Sequence, residues 1–80
     1  MSTITETRIG ECGFLIYFTR DNGTPESAFV SHACWDTALD SLFLTPEDQR
    51  QDRSCFGAQV GTRWVMAMNL CEIVAYIESL

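Results

Sequence analysis

The sequence predicts an α+β domain, an antiparallel β-sheet of about four to five strands with two helices packed on one face. Three observations carry this. Apolar, β-branched or aromatic runs flank Asn22-Gly23, and two more flank Gly61-Thr62, so that each pair reads as a hairpin. Residues 35–43 and 70–77 repeat their apolar side chains at helical spacing. A polar run, TPEDQRQDRS (45–54), separates the two halves and gives the order β, β, β, α, polar loop, β, β, α. Eighty residues fit one compact domain, 1–80, and a 46% hydrophobic share is enough to fill a core.

Taken in order, TITETR (3–8) is rich in β-branched residues yet polar, which suits an edge strand. GFLIYFTR (13–20) is an apolar strand ending at Asp-Asn-Gly-Thr, where Asn22-Gly23 favours a two-residue type I′ turn. The return strand is ESAFVSH (26–32). Pairing about that turn sets Phe18 opposite Ser27, Ile16 opposite Phe29 and Phe14 opposite Ser31, with Leu15, Tyr17, Ala28 and Val30 on the other face. A helix is expected from Ser31 or His32 to Leu44, its stripe formed by Trp35, Ala38, Leu39, Leu42 and Phe43. In the polar run, Thr45 as N-cap and Pro46 in the first helical position suit a short surface turn.

CFGAQV (55–60) and RWVMAM (63–68) read as the second hairpin, turning at Gly61-Thr62. Asn69 followed by Glu72 has capping-box spacing, and Met68 and Ile73 stand at the positions of a hydrophobic staple. The last helix then runs from Leu70 to about Ser79, with Leu70, Ile73, Val74 and Ile77 toward the core. One long helix over 63–80 is the competing reading, and the cap favours strand followed by helix.

Charge bears on function. Eleven acidic residues face five basic ones, all arginines, for a net charge of -6. Nucleic acid and anionic membranes are disfavoured as partners, because both need cationic patches; a basic protein partner is favoured. Solubility alone accounts for the same balance. No window approaches the ~18 apolar residues of a membrane span, and the start MSTITETRIG lacks the features of a signal peptide, so a cytoplasmic protein is expected.

Chemistry-bearing patterns are sparse. Cys12, Cys34, Cys55 and Cys71 contain no C-x-x-C pair, and Cys12, Cys34 and Cys71 sit among apolar neighbours that suit buried thiols. His32 and Cys34 could join Cys12 and Cys55 in a zinc site, but the short ligand steps typical of such sites are missing, so no metal is expected. Cys55, in the polar RSCFG context, is the most exposed candidate for a thiol nucleophile beside His32, without a recognisable motif. Asp36 and Asp40 on a solvated face lack the desolvation that acid–base catalysis exploits. Neither a phosphate loop nor a cofactor motif occurs, and a non-enzymatic protein is expected.

A binding role remains. Asp36 and Asp40 share one helix face, Glu47 continues that side if the helix direction persists past Pro46, and Asp48 and Asp52 lie nearby. Asp36, Glu47 and Asp48 each sit in a first turn, where a carboxylate offsets the helix dipole. Asp40 has no such reason and no basic residue at pairing distance. Carboxylates spaced along a helix present to an arginine- or lysine-lined groove much what a row of phosphates does. Trp64, next to Arg63, is a second candidate contact, against the alternative of ordinary core packing. An uncovered sheet face would suit a homodimer.

In size, acidity and its sheet-plus-helices cast, the whole chain resembles phage- or prophage-encoded anti-CRISPR proteins. Among them it is similar to the small inhibitors of type I systems, subtype I-C being the named candidate. The resemblance implies a non-enzymatic mechanism in a bacterial host cell: binding the CRISPR surveillance complex (Cascade) and keeping target DNA from docking, without direct nucleic-acid binding. No functional residue is carried over, because these proteins share no transferable motif. A charge of -6 is modest for a DNA mimic, so occlusion through Trp64 or helix contacts is equally open. Two other classes compete: a homo-oligomerising phage or bacterial structural or adaptor protein, and a zinc- or thiol-dependent domain.

Overall fold

The computed structural model describes residues 1–34, 42–50 and 54–80, the side chains of residues 33, 34 and 54 excepted. Six strands form one sheet: β1 (Thr3–Ile9), β2 (Phe14–Thr19), β3 (Pro25–Cys34), β4 (Leu42–Phe43), β5 (Ser54–Val60) and β6 (Arg63–Ala67). A helix, α1 (Leu70–Ser79), closes the chain, and Glu47–Gln49 makes one 3-10 turn. The strand order is β1-β2-β3-β5-β6-β4. Neighbours are antiparallel except β4, which runs parallel to β6. The α+β class stands, with six strands in a mixed sheet where four to five antiparallel ones were expected. One α-helix, where two were expected, is present among the described residues.

Period-2 alternation decides which side chains α1 covers. Ile16, Phe18, Ala28, Val30, Ala58, Val60 and Ala67 form one buried cluster with Ile73 and Ile77 of the helix. Small residues on the central strands leave room for the isoleucines, each at 0% exposure. Burying such a side chain contributes about 1.5–3 kcal/mol. Asn69 caps α1 as its sequence predicts, its Oδ1 accepting the Glu72 N–H at 3.0 Å. The reciprocal half of the capping box is diverted. The Glu72 carboxylate accepts from the Thr45 hydroxyl, tying the helix start to the segment after β4. Thr45 is thus a buried anchor rather than an N-cap, and Pro46 occupies the cap position of the 3-10 turn.

The first hairpin differs from expectation by one residue. Gly23 N–H donates to the Arg20 carbonyl at 2.8 Å, and Arg20 N–H donates to the Thr24 carbonyl at 2.9 Å. Asp21, Asn22 and Gly23 (φ 86°) therefore make a three-residue loop, and Asn22 Oδ1 accepts the Thr24 N–H at 3.0 Å. The register becomes Phe14–Val30, Ile16–Ala28 and Phe18–Glu26. A one-residue slip moves a whole strand's side chains to the opposite face, so Ala28 and Val30 join the core and Phe29 faces away from it.

The third strand also runs further than expected. Ser31–Cys34 continue β3, pairing with Gly57–Ser54 of β5, and Leu42–Phe43 pair with β6. The two ends of the predicted helix 31–44 are therefore strand. Its middle, with Trp35, Asp36, Ala38, Leu39 and Asp40, lies outside the described residues.

Candidate interaction surfaces

Opposite the helix, register alone assembles a row across five strands: Arg8, Leu15, Phe29, Gln59 and Trp64. Phe29 is 40% exposed, and Leu15, Tyr17 and Trp64 are half-buried. Glu6, Tyr17 and Ser27 form a second row beside it, with the Arg8 guanidinium 5.5 Å from the Tyr17 ring centre. A third row, Ser31, Gly57, Met66 and Phe43, lies on the other side. There Met66 is fully buried, and so, further along β5, is Cys55. The face is thus closed at one end and open at the other.

Trp64 owes its position to a glycine. A Cβ on Gly57 would stand 2.5 Å from the Trp64 Cζ2 atom, so the indole lies flat over the bare backbone of β5. Shielding an otherwise unprotected strand glycine is a structural role for Trp64, and its half-buried ring still reaches the open face. Trp64 is thus packed against the sheet without being fully buried core.

The acidic candidates divide. Glu47 and Asp48 are exposed in the first turn after Pro46. Asp36, Asp40 and Asp52 lie outside the described residues, so the continuous carboxylate face has only its Glu47–Asp48 end in view. That end is held firmly. Leu44 N–H donates to the Met66 carbonyl at 3.0 Å, and Gln49 N–H to the Pro46 carbonyl at 3.0 Å. Arg50 folds back, its Nε donating to the Thr45 carbonyl at 2.8 Å while its guanidinium lies 3.9 Å over the Phe43 ring. The segment is anchored to β4 and so beside β6, the strand that carries Trp64.

Other arginines are likewise engaged within the fold. Arg8 pairs with Glu6 at 3.0 Å, Arg20 pairs with Glu26, and Arg63 donates to the Tyr76 hydroxyl at 3.4 Å. Asp21 pairs with the amino terminus. Glu11, Glu47, Asp48 and Glu78 carry no ion pair among the described residues. Among the described residues, the outward-facing charge without an ion pair is therefore acidic.

Cysteine burial reverses the sequence expectation. Cys55 is 2% exposed, whereas Cys12, in the turn between β1 and β2, and Cys71, on the outer side of α1, are exposed free thiols. Neighbouring apolar residues misled here because alternation in a strand, and the helical stripe in α1, direct adjacent residues to different sides. His32 is exposed and meets Phe56 edge-on at 5.9 Å. Among the described residues no three of His, Cys, Asp or Glu gather as metal ligands, and no helix is long and apolar enough to cross a membrane. Sequence reasoning missed the Arg8–Leu15–Phe29 row, whose signal is the Asx-type closure of the Asp21-Asn22-Gly23 loop that sets the register. Comparison of the chain with protein-family models, curated proteins and solved structures finds no match.

Proposed function

We propose that this chain acts without catalysis, by binding another protein, and that it inhibits a type I CRISPR surveillance complex of the kind its resemblance implies. It presents carboxylates to the basic surface that receives target DNA and so competes with that DNA inside the bacterial host cell. The observation that supports this reading is the disposition of charge. All four described arginines are engaged within the fold, while Glu47 and Asp48 stand exposed on an anchored turn without an ion pair. A rigid acidic display loses little conformational freedom on docking and speeds encounter with a cationic groove.

The test is a pull-down of a purified type I effector with the tagged chain, followed by competition with target DNA. Retention of the effector that DNA reverses, and that Glu47→Lys with Asp48→Lys weakens, supports the proposal. An effector that is not retained, or is retained equally by the charge-reversed variant, refutes it. Trp64→Ala in the same assay reports whether the open sheet face shares in the contact. The row of Phe29, Leu15 and Trp64 favours a second reading, a homo-oligomerising structural or adaptor protein. Mass that rises with concentration, with no binding to the effector, distinguishes that reading.

A further inference from the structure

The sheet has two edges of unequal kind. β4 is two residues long, too short to template another strand, whereas β1 offers seven residues that are almost all exposed. Neither lysine nor proline guards β1. A bulge at Thr5, between Ile4 and Glu6, leaves the stretch after it regular.

Hydrogen-bond alternation shows which groups point outward. Gly10 N–H donates to the Gly13 carbonyl at 2.8 Å, and in an antiparallel ladder every second residue faces the same neighbour. Gly10, Arg8 and Glu6 thus direct their backbone groups toward β2, while Thr7 and Ile9 direct theirs away from the sheet. The side chains add a second pattern. Glu6 and Arg8 flank Thr7 with opposite charges, their side chains 53% and 66% exposed.

We propose that β1 pairs antiparallel with β1 of a second copy of this chain about a two-fold axis at Thr7. In that arrangement Thr7 exchanges both backbone hydrogen bonds with the partner's Thr7. Glu6 stands opposite the partner's Arg8, and Arg8 opposite the partner's Glu6. Directly opposed unlike charges and threonine pairs both stabilise antiparallel strands. Ile9, 81% exposed in one chain, comes to lie beside the partner's Thr5. The strand is self-complementary in charge only in this register: a shift by one residue sets Glu6 or Arg8 against the partner's Thr7, and a shift by two sets Glu6 or Arg8 against its own like. The two sheets join into one, and the open faces with their Arg8, Tyr17 and Phe29 side chains become continuous. The proposal is independent of the acidic-surface reading, because Glu47 and Asp48 follow β4 at the opposite edge.

The test is sedimentation equilibrium of the full chain from low micromolar to millimolar concentration. A mass rising from 9.0 kDa toward twice that value is expected. Arg8→Glu alone and Glu6→Arg alone each oppose like charges and should weaken association at least tenfold. An equimolar mixture of these two variants restores both unlike pairs and should associate again. Thr7→Pro deletes only an outward N–H and should abolish dimers; if it fails to fold, the charge variants still decide. A chain that stays monomeric throughout overturns the proposal, as do dimers that persist in both single charge variants.

Discussion

Gly13 and Gly23 both have positive φ, 151° and 86°, but their surroundings differ, and the difference predicts unequal costs for one substitution. A Cβ on Gly23 meets nothing within 4 Å. Gly23→Ala should therefore cost only the backbone preference, about 1–2 kcal/mol. A Cβ on Gly13 would stand 3.1 Å from the Val30 carbonyl carbon, closer still to its oxygen, and 3.3 Å from Phe29 Cζ. Those backbone atoms belong to the Phe14–Val30 pairing, so they retreat only by opening the β2–β3 ladder. Adding about 1–3 kcal/mol for overpacking to a similar backbone term brings Gly13→Ala to roughly 2–5 kcal/mol. Domains of this size lose about 4–8 °C per kcal/mol, so melting should fall by ~10–40 °C for Gly13→Ala and ~5–15 °C for Gly23→Ala. Total stability at this length is roughly 4–12 kcal/mol, so the Gly13 variant should sit near its folding threshold. Thermal unfolding followed by circular dichroism measures both. Equal losses in melting temperature would refute the argument from close approach.

Further expectations follow from individual contacts. Ile77→Ala empties a fully buried position under the sheet and should cost about 2–5 kcal/mol in urea unfolding, whereas Ala75→Ser on the exposed side of α1 should change little. Asn69→Ala removes the acceptor for the Glu72 N–H and should cost about 1 kcal/mol, with Asn69→Asp retaining most of it. Thr45→Val leaves the Glu72 carboxylate without its hydroxyl donor, and amide exchange in residues 44–50 should quicken. Gly57→Ala displaces the Trp64 indole, so its fluorescence should shift to longer wavelength with a loss of about 1–3 kcal/mol.

Local signals proved legible where the chemistry was local. The Asn69 cap placed α1, and Gly61-Thr62 placed the second hairpin, because each depends on residues within a few positions. Asn22-Gly23 placed the first turn but not its length. Asp21 joins the loop, and that one residue reassigned every side chain of β3. Ser31–Cys34 were read as the opening of a helix, yet they pair with β5, a contact across twenty residues or more that no local pattern announces. The candidate site was legible in part: Glu47 and Asp48 are exposed as their polar context implied, while the burial of Cys55 ran against its context.

By itself the sequence determined the α+β class, the final helix and its cap, both turn positions, the polar edge strand and the acidic balance. Period, capping chemistry and charge act over one or two turns of chain and need no partner from elsewhere. Tertiary structure alone decided the strand order, the pairing of Ser31–Cys34 with β5, the laying of Trp64 over Gly57 and the outward display of Thr7 between Glu6 and Arg8. These depend on which strands lie side by side, and that is settled by the one arrangement that buries Ile16, Phe18, Ile73 and Ile77 together.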